Sequence, residues 1–223
     1  MTHALLNLTE RGGWLGQKPV QIDVQVKETA MPDVKNIKGQ YLLCHLTSVE
    51  NLDGIFQEGL KPRADLTDFT DVADSEILNK RKVFELDRYV PFHWFAANPF
   101  DGSVQLSRPK SKFVLISVYR SFAKQNGWKI IPRHPLASDD IQIFNYNEGF
   151  ETINWELMST RDYLNADCKS ICMAECLSPN IVFPKDFFMI FVPSSEVETL
   201  CSEKMRKAGV KVRLSVNPGM FRK

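Results

Sequence analysis

The sequence predicts an α+β fold, and three observations carry that prediction. Apolar runs of strand length recur along the 223 residues: YLLCHLT at 41–47, KFVLISVYR at 112–120 and DFFMIFVP at 186–193. The helical stretches are short and fall at the periphery of these runs. No internal repeat or low-complexity tract imposes another architecture.

Taken in order, residues 1–40 hold Gly12, Gly13, Gly16, Pro19 and Pro32 and form an N-terminal arm. Within it, PVQIDVQVKET alternates apolar and polar residues, the pattern of a short strand. A single domain occupies 41–223. YLLCHLT is a buried strand, and VENLDGIFQEG at 49–59 is a short helix. Ser48 is placed to cap that helix, Leu52, Ile55 and Phe56 form its apolar face, and Gly59 ends it. Residues 61–75 form a polar, acidic loop, and SEILNKRKV at 75–83 is helical. YVPFHWFA is an extended, aromatic run. KFVLISVYR is the clearest strand, because it is apolar, β-branched and bounded by polar turns. SPNIVFPK turns the chain into DFFMIFVP. SEVETLCSEKMRKAG at 195–209 has helical period, with acids first and bases last to suit the helix dipole. VKVRLSV at 210–216 closes as a strand.

Composition narrows the function classes. With 43% hydrophobic and 25% charged residues, the chain suits one globular domain. No stretch approaches the roughly 20 apolar residues that span a bilayer. The N-terminus lacks a basic segment followed by an apolar run, so a cytoplasmic protein is expected. Five cysteines is an odd count in a long chain, which argues against a disulfide framework. Cys168, Cys172 and Cys176 stand four residues apart, wider than the C-x2-C pairs of metal sites, so buried thiols and no metal are expected.

The net charge of +1 conceals an asymmetry. Residues 47–76 carry eight acidic and two basic side chains, whereas Gly102–Ser138 carries no acid at all. Arg108, Lys110, Lys112, Lys124 and Arg133 in the second stretch are candidate contacts for a phosphate-bearing partner. Phe113, Tyr119, Phe122 and Trp128 are interleaved with them as candidate stacking faces, although strand residues such as Phe113 and Tyr119 equally suit a core.

No P-loop, G-x-G-x-x-G or G-x-S-x-G is present, so a Rossmann site for NAD is not supported. The polar residues of interest are those set among apolar strands, because an unpaired buried charge is costly. They are His45 in YLLCHLT and Glu175 in ICMAECL.

Four segments together resemble one family. CHLTSVENLDGIFQEGL is similar to the N-terminal motif of the DarT ADP-ribosyltransferases, through Cys44, His45, Leu46, Thr47, Asn51, Leu52, Ile55 and Gly59. RYVPFHWFAANPF resembles the family's D-Y-V-P-F-Y-F run, through Tyr89, Val90, Pro91, Phe92, Phe95 and Pro99. INWELMSTRDY follows through Trp155, and CMAECLSPNIVFPKDFFMIFV through Ala174, Glu175, Leu177 and Pro184. The order and spacing hold over 41–216. The sequence departs from the motifs at Ser48, where a second histidine is common, at His93 and Trp94, which replace Tyr-Phe, and at Ala96, Ala97 and Asn98. About 40 residues precede the first motif.

The resemblance implies an ADP-ribosyltransferase fold, a split, mostly antiparallel β-core with peripheral helices and a central NAD cleft. It implies Glu175 and Arg81 as catalytic residues. His45, Thr47, Asn51 and Tyr89 would hold NAD. Breaking the nicotinamide–ribose bond leaves an electron-poor sugar carbon, which a nearby carboxylate stabilises. The same carboxylate can accept a proton from a weakly nucleophilic base nitrogen. An arginine can hold the diphosphate by paired contacts. The implied acceptor is a base of single-stranded DNA. The implied setting is a toxin–antitoxin or anti-phage system, with a cognate antitoxin, for example a macrodomain protein. RNA bases, protein, and a module that binds nucleic acid without catalysis are the alternatives. Glu175 is expected to open into a solvated cleft, free of any packing role.

Overall fold

The computed structural model describes residues 36–66, 81–135 and 141–222. The expected strand in the arm, the acidic loop beyond residue 66 and the SEILNK part of SEILNKRKV lie outside the described residues. Strands are β1 (Leu42–Ser48), β2 (Val90–His93), β3 (Phe113–Tyr119), β4 (Lys129–Ile131), β5 (Phe144–Asn145), β6 (Glu175–Ser178), β7 (Met189–Val192) and β8 (Leu214–Val216). Among the described residues they form one sheet in the order β5-β4-β6-β2-β1-β3-β7-β8. Every pairing is antiparallel except β7 with β8. The last strand is shorter than VKVRLSV suggests. Its ladder begins only where Ile190 N–H donates to Arg213 O, while Val210 and Val212 pack against the core.

The sheet is strongly joined on one side of β1 and barely on the other. β1 pairs with β3 along its whole length, from Leu42 opposite Tyr119 to Ser48 opposite Phe113. Against β2 it makes a single pair, Cys44 opposite His93. Pro91 supplies a reason. An extended residue sends its N–H and C=O to the same side, and proline has no N–H. The Pro91 carbonyl is taken by the ring of His45 on β1, so the empty amide position of Pro91 also faces β1. A continuous ladder cannot form there, and the single sheet is joined at this seam by one pair alone, which splits it in effect into two halves.

Alternation along β1 feeds both faces. Leu43 joins the main core with Val114, Ile116, Phe92 and Ile190, while Cys44 and Leu46 join a second cluster with Phe113 and Leu115. Helices α1 (Leu52–Glu58), α2 (Pro99–Ser107), α3 (Arg120–Gln125), α4 (Tyr146–Thr152), α5 (Trp155–Thr160), α6 (Ala166–Ile171) and α7 (Ser195–Ala208) cover the sheet. Ser48 accepts from Glu50 N–H at the turn leading into α1, and Gly59 ends α1 at φ 87°, where any side chain would run into Ile181. α7 runs from a Ser194 cap to Gly209 at φ 68°. Ile37 is completely buried, so the core already includes residues just before β1. All five cysteines are buried and free. Among the described residues no group of three His, Cys, Asp or Glu side chains is placed to hold a metal ion, and no helix is long and apolar enough to cross a membrane.

Candidate active site

Glu175 opens β6, between β2 and β4. It stands opposite His93 on one neighbour and Ile131 on the other. A carboxylate on a strand covered along both edges loses its water. Glu175 is 6% exposed and Arg81 8%. Arg81 Nη1 donates to Oε1 at 2.7 Å and to Oε2 at 2.8 Å, while Nη2 reaches only to Leu86 O at 3.5 Å. The sequence expectation of a solvated Glu175 without a packing role is therefore corrected. A carboxylate buried in this way requires a cation beside it. The two residues lie 94 positions apart in the chain.

His45 sits at the split between the half-sheets. Its ring is 5.5 Å from that of Phe92, and its Nδ1 is 2.8 Å from Pro91 O. Burial pushes its pKa down to about 4, so the ring is neutral at neutral pH. A carbonyl oxygen only accepts, so the ring proton is on Nδ1. That leaves Nε2 as a bare acceptor. The charges of His93, Arg81 and Glu175 all reach His45, which places the four in one electrostatic neighbourhood. Thr47, two residues along β1, is buried, and Asn51 Nδ2 donates to Thr47 Oγ1 at 3.2 Å. Tyr89 is half-buried against the small cluster of Leu86, Ile131 and Leu177. It thus lies beside the residues that flank Arg81 and Glu175.

His93 enters the sequence reading only as a departure from a motif. Here it is the cross-strand neighbour of Glu175, 5% exposed, with its Nδ1 buried and unpartnered and Phe100 against its ring at 5.2 Å. Burial lowers its pKa, and the Glu175 carboxylate opposes that shift. Nearby, Asn98 caps α2 by accepting from Asp101 N–H at 3.0 Å and donates to Asp101 Oδ2 at 2.9 Å. Burial raises the Asp101 pKa to about 7. The preceding Ala97 has φ 56°. The signal for His93 was present in the sequence as a polar residue among aromatics, in step with the strand.

The basic stretch does not form one surface. Arg108, Lys110 and Lys112 cluster before the start of β3, and Lys112 Nζ is 2.7 Å from Glu196. Lys124 lies beyond the far end of β3, seven residues on, about 20 Å along an extended strand. There it lines a surface pocket of about 430 Å³ with Lys38, Arg120 and Tyr146. Arg133 is exposed after β4. Strand geometry separates charges that are neighbours in sequence. Of the candidate stacking aromatics, Phe113 and Trp128 are core residues and Phe122 packs on the core, while Tyr119 is 45% exposed and lies 4.6 Å from Phe188.

A family model described as "ssDNA thymidine ADP-ribosyltransferase, DarT" matches residues 44–222. Among solved structures, Thermus sp. 2.9 DarT in complex with ADP-ribosylated ssDNA is similar at TM-score 0.70 and 16% identity, over 81% of this chain and 96% of that one. The same protein in complex with NAD+ gives TM-score 0.66 at 14% identity, over 81% and 97%. Thermosipho africanus DarTG in complex with ADP-ribose gives 0.64 at 22%, over 82% of this chain and 51% of that one. At these identities the likeness establishes the fold. No curated protein sequence matches the chain.

Proposed function

Because the chain belongs to the DarT family of ssDNA thymidine ADP-ribosyltransferases, we propose that its split core binds NAD and transfers the ADP-ribose to thymine in single-stranded DNA, with Glu175 and Arg81 at the reacting centre. The observation that carries the assignment of residues is the buried ion pair, in which Arg81 holds both oxygens of Glu175.

The residues fit the co-substrate. Arg81 has five N–H donors, and its Nη2 makes only a long contact, so capacity remains for an anionic diphosphate. Asn51 and Thr47 offer amide and hydroxyl groups at the mouth of β1, and the bare Nε2 of neutral His45 accepts from a ribose hydroxyl. Tyr89 forms a wall beside Arg81. As the bond to nicotinamide breaks, the sugar carbon becomes cationic and Glu175 offsets that charge. In thymidine N1 carries the sugar, so N3 is the ring nitrogen with a proton to lose. Glu175 takes that proton as N3 attacks. Arg108, Lys110 and Lys112 are the basic residues grouped closely enough to follow one backbone, and they contact the phosphates on this reading. Lys124 and Arg133 would meet only a longer strand.

In the cell the protein acts as the toxin of a toxin–antitoxin or anti-phage system, controlled by a cognate antitoxin that removes the ADP-ribose or masks the site. Similarity to a DarTG chain bound to ADP-ribose supports this role. Mass spectrometry tests the chemistry. Incubation with NAD and single-stranded oligonucleotides should add one ADP-ribose to those containing thymidine and none to those lacking it. No adduct on DNA, or an adduct only on RNA, overturns the reading.

A further inference from the structure

We propose that His93 takes from Glu175 the proton that Glu175 removes from the acceptor base, and so resets the carboxylate during transfer. This deepens the functional reading above and rests on it.

The placement comes from strand register. His93 and Glu175 are paired residues on adjacent antiparallel strands, β2 and β6, so their side chains rise from the same face. His93 is buried; the backbone of Ala174 beside its ring favours the charged form, while its Nδ1 has no hydrogen-bond partner among the described residues. A buried ring nitrogen without a partner is uncommon and needs an explanation. Packing alone does not give one, because Phe100 would stack as well on the tyrosine that the family's motif carries here.

The charges around the pair supply the driving force. Once Glu175 holds a proton, Arg81 is left as a buried cation without its anion. Passing the proton on restores the ion pair. His93 is neutral before the step, because burial lowers its pKa, and the re-formed carboxylate favours the imidazolium that results. Arg81 and His134 oppose that imidazolium. Of the other groups nearby, the Cys44 thiol opposite His93 is pushed up to about 12 and stays protonated. His45 has Nδ1 committed to Pro91, and its strand is not paired with β6. Asp101, next to Phe100, already engages Asn98.

The atoms balance. Thymine N3 bonds to the ribose carbon as the bond to nicotinamide breaks, and nicotinamide leaves with that electron pair as a neutral molecule. The N3 proton moves to Glu175, then to a ring nitrogen of His93, and finally to solvent, one proton per transfer. His93 thus acts through Glu175 and is a positioning and relay residue.

The test is single-turnover transfer to a thymidine oligonucleotide, followed from acid to neutral pH, for the wild-type protein and for His93→Gln and His93→Tyr. NAD affinity and melting temperature are measured alongside. Both variants should bind NAD and melt close to wild type, yet transfer about 10- to 100-fold more slowly near neutrality. Both should also lose the part of the acid limb that His93 contributes. A folded variant that keeps the wild-type rate and pH profile overturns the relay. Should His93→Gln fail to fold, His93→Tyr decides alone. If the wild-type protein forms no adduct, the functional reading itself fails, which is a separate outcome.

Discussion

Two buried arginines serve opposite ends. Arg120, at the start of α3, donates to the carbonyls of Leu42, Ile37, Lys38 and Trp94 over 2.8–3.2 Å, and its guanidinium lies 4.9 Å from the Trp94 ring and 5.6 Å from that of Trp155. Burial lowers its pKa to about 10, which leaves it charged at neutral pH. Its hydrogen-bond partners are all backbone carbonyls, and burial raises the pKa of the titratable groups near it, Tyr146, Cys44 and Cys176, so they stay neutral at neutral pH. Arg81 instead faces a carboxylate, whose charge changes whenever a proton arrives. The first arginine ties the chain before β1 to the core. The second holds the carboxylate proposed to react. A buried cation is therefore read by its partner: dipoles mark scaffold, and a titratable anion marks a place where chemistry is possible.

The largest effect that would break this comparison is on Arg120. Arg120→Ala strands buried carbonyls and removes two ring contacts, and should cost on the order of 4 kcal/mol in urea unfolding. A loss under about 1 kcal/mol would mean that the scaffold role is wrong. Next comes Glu175→Gln, which keeps an acceptor for Arg81 but removes the charge. Transfer should fall about 10³-fold or more, roughly 4 kcal/mol of barrier, with a modest change in melting temperature. Glu175→Ala should instead lose about 3–5 kcal/mol of stability as well, because it leaves Arg81 unpaired. A Glu175→Ala variant that melts with the wild-type protein would show that the pair contributes no stability.

A subtler effect concerns pH. His45 binds its proton less readily folded (about 4) than unfolded, so its contribution is full above the ordinary histidine value of 6.5 and is lost as pH falls toward 4. His93 shifts in the same direction. Asp101 is raised from 3.8 to about 7, so the folded state binds the extra proton and gains stability as pH falls through 7 toward 3.8. The contributions oppose one another. Asp101→Asn should steepen the loss of stability on acidification and His45→Gln should flatten it, each by on the order of 3–4 kcal/mol across the window. Slopes that move the other way would reverse the assignment. The smallest effect is at Lys112. Lys112→Ala breaks an exposed pair with Glu196 and should cost under about 1 kcal/mol. Its salt slope for single-strand binding should drop by about 0.7 if it neutralises one phosphate. An unchanged slope would leave Lys112 as a solvated side chain.

Much of the fold was legible because it is local. The Ser48 and Gly59 signals, the β3 run and the charge gradient of α7 each depend on residues within a few positions. The split was legible only through resemblance, since its visible cause is one proline whose partner strand lies far away. The partnering of Glu175 by Arg81 follows the same pattern: residue types hint at roles, but burial and distance come from register. The basic stretch is dispersed in the fold for a related reason. Sequence adjacency across a strand becomes separation in space, and the opposite end of β3 is a different surface. Arg120 went unrecognised because its partners are backbone carbonyls, which leave no mark in composition.

The 94-residue interval between Arg81 and Glu175 also sets a clock. At roughly 5–20 residues per second, a ribosome needs about 5–20 s to travel from one to the other. β1 lies in the sheet between β2 and β3, and β7 and β8, which follow Glu175 in the chain, are added beyond β3. During that interval the nascent chain carries the arginine without the carboxylate that it pairs with in the folded protein.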